Sequence, residues 1–570
     1  MGDTENLREL NFPREQTQQR IALAAEERNR ILREHFGLDP LSQMNGTKNK
    51  YLVEMQKFFA ARKGGPFTIN QICEDWFSLT NADWHGYVEW PKTGVSAGTR
   101  GGDAANLSCT PSTDTVAARD DYAGLPLFAC VDCNWTVDPD TLEPVITAIE
   151  GVCGDFSRFD PEKFVGVLQQ SAWDYLSEDE NTMRYGYSSH RQIAEKAQPL
   201  PEACRASDGT VRSWMVHAKY PGHVKDGKWV CCSGWIPSAY NISHNSVHTI
   251  SAATGEGISG TCYCDWDFLR KMMMIKYASL TMDGIIQGCV SNSKTAIAAA
   301  SETGVKRILL PTDAPAFEEG MSALVGTITA TGTVDRGSAN CYSISTREGC
   351  VITAVETVTL NGADFKAVYV DVAEPFDTES GTTCIATFHW RAGSCDNVLG
   401  TDGSPKNPGS GVYPGKIQGV EFGHGAYIVL SDTIMHYGLE DGRYYYEPYF
   451  AHRVAHQSTT LTGNYVASGV RNTQPAETAT RYIKHMKLTK QGVFVPDEYG
   501  ASSSTYYRDG NYIRAETVGN YAVLVVGNLN ISTAYGGLSY ASLVNGLTYA
   551  YWNISGGPSP NGNRRGEWAA

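Results

Sequence analysis

The carboxy-terminal run reads Gly537-Leu538-Ser539-Tyr540-Ala541-Ser542-Leu543-Val544-Asn545-Gly546-Leu547-Thr548-Tyr549-Ala550-Tyr551-Trp552-Asn553-Ile554-Ser555-Gly556-Gly557-Pro558-Ser559. It sits inside a longer stretch, Thr517 to Asn563, that holds no Asp, Glu, Lys, Arg or His. The chain is 19% charged, so a stretch of that length should carry about nine charged residues. A buried terminal β element would exclude charge. So would a recognition surface, because Tyr offers large amphipathic area at low entropic cost while Ser, Gly and Asn adapt their hydrogen bonds. Within the run Gly537-Leu538-Ser539-Tyr540 is echoed by Gly546-Leu547-Thr548-Tyr549. The echo predicts two similar turns or hairpin arms, with Leu538 and Leu547 anchored inward.

Working outward, residues 301–400 alternate with period two, as in Leu324-Val325-Gly326-Thr327-Ile328-Thr329, Cys350-Val351-Ile352-Thr353-Ala354-Val355, Ala367-Val368-Tyr369-Val370 and Ile385-Ala386-Thr387-Phe388. This predicts a sheet domain of its own, closed by the turn-rich stretch 400–409, read as a linker. Upstream, Asp265 is placed as the cap of a helix over 266–280 whose buried face is Phe268, Leu269, Met272, Met273 and Ile275. Short apolar runs between 84 and 250, among them 125–129, 143–147, 213–217 and 235–240, predict strands. Arg443-Tyr444-Tyr445-Tyr446-Glu447 is read as a Tyr-rich loop. Two amphipathic helices are expected near the amino terminus, over 14–35 and 51–62, the second with Leu52, Met55, Phe58 and Phe59 as its stripe. Self-association is preferred for them over docking on a neighbour.

At 570 residues the chain should form about three to five domains. The expected class is α+β and multidomain: a helical attachment or oligomerisation region over 1–75, a β-rich domain over 76–204, and further units over 205–300, 301–405 and 406–570. Net charge is −15, and no Lys/Arg-rich block occurs, which speaks against nucleic-acid binding. Neither a signal peptide nor a membrane-spanning segment is read in the sequence. The 15 cysteines, none after Cys395, are read as reduced structural thiols. Cys130-Val131-Asp132-Cys133 lacks the second pair that a zinc site requires. His244/His248 and His452/His456 have metal-compatible spacing without a third ligand, and are read as structural. The acidic groups Asp120-Asp121 and Glu178-Asp179-Glu180 are read as solvated loops. No hydrolase, zincin, phosphate-loop or dinucleotide fingerprint is present. No catalytic residue, metal or cofactor is expected.

The Trp235-Ile236-Pro237 segment, the helix after Asp265, the Gly419-to-Gly425 segment and the terminal Trp552-Asn553-Ile554, Gly557 and Arg564 together resemble the C-type-lectin-fold variable proteins of diversity-generating retroelements. Many of these are phage receptor-binding proteins. The resemblance implies a lectin-like fold over 205–300 and 406–570, interrupted by an immunoglobulin-like β domain over 301–405. It implies a virion protein of the tail or a fibre, a homotrimer that contacts other virion proteins and binds a host-surface protein or glycan. In that family a reverse transcriptase copies a template with errors at adenines, so Asn codons diversify. The positions implied to be varied and displayed are Ser532, Tyr535, Tyr540, Ser542, Val544, Tyr549, Tyr551, Ser555 and Ser559. Trp552, Asn553, Ile554, Gly557 and Arg564 are implied to be scaffold. Ser555 stands where the family often has Gly, and Pro558 near its Arg. Two alternatives are an architectural virion protein without a receptor, and an oxidase like formylglycine-generating enzymes. The oxidase would need reactive cysteines near the carboxy terminus, where this chain has none.

Overall fold

The computed structural model describes residues 46–62, 67–190, 197–531 and 537–565. The helix expected over 14–35 and the positions Ser532 and Tyr535 lie outside the described residues. Four α-helices occur among the described residues, α1 (Gly46–Ala61), α2 (Ile69–Leu79), α3 (His244–Thr254) and α4 (Tyr263–Tyr277), against many short strands. The molecule is therefore β-rich, multidomain and of the α+β class.

Helix α2 starts at Thr68, whose Oγ1 accepts from the Gln71 amide while Gln71 Oε1 accepts from the Thr68 amide, a reciprocal capping box. Met55 and Phe59 of α1 and Ile72, Trp76 and Phe77 of α2 are buried against Val131, Trp135, Leu168 and Val216 of a four-stranded antiparallel sheet. Of the expected α1 stripe, Met55 and Phe59 are buried within the chain, while Leu52 and Phe58 are half-buried. That sheet joins Pro144–Ile149, Cys130–Val137, Phe164–Gln170 and Trp214–Ala218, so it crosses the expected boundary at 204/205. Cys130 and Cys133 stand three apart on one strand and point to opposite faces, into different cores.

Helix α4 is the axis of the main core. Its apolar residues Phe268, Leu269, Met272, Met273 and Ile275 are buried, and so are its charged residues Asp267, Arg270, Lys271 and Lys276. Asp265 is not the cap but the third helical residue, reaching back to the Cys262 amide at 3.0 Å. The charges survive burial because partners converge from distant segments. Lys271 Nζ lies 2.8 Å from Asp174 and 3.5 Å from Asp267, and Arg270 lies 2.9 Å from Asp267. Lys276 Nζ lies 2.8 Å from Asp402 and 3.1 Å from Asp120. The stretch 400–409 is therefore no exposed linker, since Thr401, Asp402 and Ser404 are buried. Asp120, likewise, is half-buried with its carboxylate in an ion pair and is not a solvated loop residue.

Residues between Thr295 and Thr387 build a six-stranded antiparallel sheet with a core of its own, including Ile308, Leu324, Ile385 and Phe388. The chain leaves and re-enters through one place: the Cys289 amide donates to Gly423 O at 2.7 Å and the Trp390 amide to His424 O at 2.8 Å. Beyond it, a ten-stranded mixed sheet is built around Tyr427–Glu440 and Gly519–Val525. Arg443–Phe450, expected as a loop, is a strand of this sheet, where its tyrosines pair across the hairpin as Tyr437 opposite Tyr446. Two other expectations are corrected: 125–129 contains a 3-10 turn at Pro126–Phe128, and 235–240 is irregular around Pro237.

Candidate ligand-binding surface

The terminal run is tied into the ten-stranded sheet at two points. Ile554 and Ser555 pair in parallel with Tyr427 and Ile428, and Ala541 and Ser542 pair in parallel with Asn511 and Tyr512. The sequence echo has a structural counterpart in two equivalent turns, with Tyr540 N donating to Gly537 O at 3.1 Å and Tyr549 N to Gly546 O at 2.9 Å. The two turns differ in surroundings. At Gly537 an added Cβ would meet Asp509 at 2.3 Å, whereas at Gly546 it would meet nothing within 4 Å. The first turn is buried and the second is at the surface.

The expected display positions divide along the same line. Tyr549 and Tyr551 are 44% and 39% exposed, and Val544 is half-buried. Tyr540, Ser542, Ser555 and Ser559 are buried, which corrects the expectation that they are displayed. Tyr540 stacks on Tyr427 with centroids 6.0 Å apart. Ser542 donates to Asn545, and Ser559 donates to Asp265 Oδ2 at 2.6 Å beside the start of α4. Ser555 is held by its parallel strand register. Small polar side chains fit an interior that supplies partners, and composition alone could not separate this from display.

The residues expected as scaffold are held by identifiable contacts. Trp552 joins the core of the six-stranded sheet and Ile554 a smaller cluster with Trp229 and Val429. The Asn553 carbonyl accepts from the Tyr427 amide at 2.8 Å. A Cβ on Gly557 would approach Gly222 N to 2.9 Å, so only glycine permits that backbone contact. Arg564 is buried and ion-paired with Asp432 at 2.5 Å.

Tyr549 and Tyr551 do not stand alone. Their rings are 6.3 Å apart, and Tyr551 lies against Gly337 of the six-stranded unit, where an added Cβ would come within 2.7 Å of its hydroxyl. The Arg336 guanidinium sits 5.2 Å from the Trp552 ring centroid. It is fixed by bonds to the carbonyls of Thr387 and Lys294 at 2.8 and 2.9 Å. Tyr240 completes the seam: its amide points to Tyr551 O at 3.4 Å, its hydroxyl donates to Arg336 O, and its ring meets Tyr342 at 4.9 Å. Tyr240 has φ +66°, and Asn241 N donates to Ala239 O at 2.8 Å across it. That is a γ-turn of the rare positive-φ kind, a strained conformation for tyrosine held by the bonds around it. The result is an aromatic ridge on the seam between two sheets. Tyr240, Tyr342 and Arg336 were not singled out from sequence, because their approach to Tyr551 exists only after folding. The turn chemistry of Pro237-Ser238 and Asp335-Arg336-Gly337 was the one local signal.

The remaining chemical clusters are accounted for locally. Among the described residues one trio, Cys109, Asp120 and Asp402, has donor atoms close enough for a metal, but the Lys276 ammonium lies against both carboxylates. His244 and His248 face each other on α3 at 4.7 Å. Burial, with His248 beside His244, holds their pKa values down to about 3 and about 4. None of the 15 cysteines is in a disulfide, and all are buried.

No protein-family model matches the chain, and no curated sequence matches it.

Proposed function

We propose that the chain is a phage virion protein of the tail or a fibre, whose carboxy-terminal region is C-type-lectin-like and presents a ligand-binding surface to the host cell. The carrying observation is the aromatic ridge. In a run free of charge, Tyr549 and Tyr551 face outward while Trp552 and Ile554, immediately beside them, are anchored. Rigid amphipathic rings on a fixed frame suit binding to a protein or glycan. The ligand contacts are Tyr549 and Tyr551, joined by Tyr240, Tyr342 and the Gly337 loop. Trimeric presentation in many copies would turn modest affinity per site into firm adsorption. No catalytic step is proposed.

The test is the double variant Tyr549→Ala/Tyr551→Ala, carried on virions or as purified protein competing for host cells. Adsorption should fall about tenfold or more while the melting temperature stays within a few degrees, since exposed rings contribute little to the core. Unchanged adsorption by a folded variant would refute the reading.

A second reading, an architectural virion protein without a receptor, draws on the same ridge, because exposed aromatic surface also suits a permanent subunit interface. In that case the double variant would change the oligomeric mass in solution and leave host binding by assembled particles intact.

A further inference from the structure

The segment that follows Arg336 and Gly337 carries a cysteine in contact with a second one. The chain there forms a 3-10 turn of four residues, Ala339–Tyr342, laid over Gly326 of the strand Ser322–Thr327. A Cβ at Gly326 would run into Asn340 O and come within 2.6 Å of the Cys341 carbonyl carbon, so only glycine lets the turn down onto the sheet. Gly326 stands directly opposite Cys384 of the neighbouring strand Thr383–Thr387. Residues opposite each other in an antiparallel pair face the same side of the sheet. The turn therefore sets Cys341 against Cys384, and the Cys341 thiol donates a hydrogen bond to the Cys384 sulfur.

Two further observations set this pair apart from thiols that only fill a core. The bond from Cys341, helped by the Gly326 amide, holds the Cys384 thiol below the usual cysteine range in spite of burial, while the same bond and burial push the Cys341 thiol up. One sulfur is the readier thiolate and its neighbour keeps the proton, the asymmetry that thiol–disulfide exchange uses. The cover over the pair is also thin. Both thiols are buried, but Ala339 and Asn340 on the turn above them are exposed. The backbone bonds of the turn, Cys341 N to Ser338 O at 3.0 Å and Ser343 N to Asn340 O at 3.1 Å, are local, so it can lift while the sheet ladder stays closed.

We infer that Cys341 and Cys384 close to a disulfide when the chain meets a low-molecular-weight disulfide oxidant, and that the bond locks the segment from Gly337 to Tyr342 onto the sheet. With the turn lifted, the Cys384 thiolate attacks one sulfur of glutathione disulfide and expels a glutathione thiolate. The Cys341 thiol then gives its proton to water, and its sulfur attacks the Cys384 sulfur of the mixed disulfide and expels the second glutathione. The two protein thiols lose two electrons and two protons, and one glutathione disulfide becomes two glutathiones. Rotation of the two side chains brings the sulfurs from hydrogen-bond contact to about 2.05 Å. The locked segment is the one that bears Gly337 and Tyr342 of the aromatic ridge, but the inference does not depend on the ridge binding anything.

Peptide mapping of the full chain tests it. Protein purified under reductant is incubated with a mixture rich in glutathione disulfide, blocked with an alkylating agent in denaturant and cut with trypsin without reduction. Cleavage after Arg336, Arg347, Lys366 and Arg391 puts Cys341 alone in Gly337–Arg347 and Cys384 alone in Ala367–Arg391. The two peptides should appear joined, about 2 Da lighter than their sum, and separate again with dithiothreitol. Because the closed turn screens both thiols, a second sample is synthesised in a cell-free system containing the same mixture, where the thiols meet the oxidant before the turn closes. A joined peptide in either folded sample supports the bond. Its absence from both, or Cys341 joined to other cysteines as often as to Cys384, overturns the proposal. Amide exchange over 337–342 should slow about tenfold or more in the oxidised chain and stay unchanged in Cys384→Ser given the same treatment. A joined peptide with unaltered exchange overturns the lock.

Discussion

Asp509 illustrates how one residue ties the buried half of the terminal run to the rest of the molecule. Its Oδ2 accepts from the Ser539 amide at 2.9 Å beneath the Gly537 turn, and burial pushes its carboxyl up to about 7. An unfolded Asp titrates near 3.9. Between these values the folded state holds the proton more tightly, so this group's stabilising contribution is full below pH ~4 and is lost as pH rises through ~7. Asp509→Asn cannot ionise. Its stability relative to the parent chain should therefore rise between pH 5 and pH 8, by about 2–4 kcal/mol, measured as denaturant midpoints. A difference that stays flat across that range would contradict the assignment. The same scale explains what the sequence disclosed of the ridge. Trp552 and Ile554, expected inward, are buried and Tyr549 and Tyr551, expected outward, are exposed, whereas Tyr540, expected outward with them, is buried. Nor could Ser542, Ser555 and Ser559 be sorted by type, because a serine is as content beside a buried carboxylate as beside water. The Ser559 bond to Asp265 depends on a partner almost three hundred positions away.

Helix α4 carries the lesson at the level of elements. Its existence and apolar face were legible from Phe268, Leu269, Met272, Met273 and Ile275. Its charged residues received no reading of their own, and they form buried ion pairs. Of the partners, Asp120 and Asp402 come from segments read as a loop and a linker, and Asp174 from the strand Trp173–Glu178, so periodicity could not assign them. Lys271 is 1% exposed and also donates to Gly492 O at 2.6 Å. Lys271→Met should destabilise by about 3–5 kcal/mol, because it strands the Asp174 carboxylate in the core. Adding Asp174→Asn should restore part of that loss, and a thermodynamic cycle on the two changes measures the coupling. Simply additive losses would show that the two groups do not depend on each other.

For the whole molecule, composition correctly indicated a β-rich, multidomain α+β chain, and the period-two stretch gave the six-stranded sheet almost in place. The continuity of the main core was not legible. It runs from Trp84 to Leu543 through α4, because strands at 130–218 and at 427–543 share one helix. Patterns of a few residues report faces of elements, not which elements meet. The point where the six-stranded unit leaves and rejoins, the adjacent carbonyls of Gly423 and His424, bears on how the chain assembles in time. While the residues between Cys289 and Trp390 are unstructured they form a long loop, and closing it taxes every contact between α4 and the later strands, by about 0.6 kcal/mol per doubling of length. Once that unit folds, its two ends sit side by side and the loop is effectively short. Pulse-labelled exchange during refolding should show amides of Val325 and Ile385 protected before those of Leu430 and Val523, and the reverse order would refute this sequence of events. The unit is then expected to act as a pacemaker: once it has folded, the two halves of the chain become neighbours along an effectively shortened path.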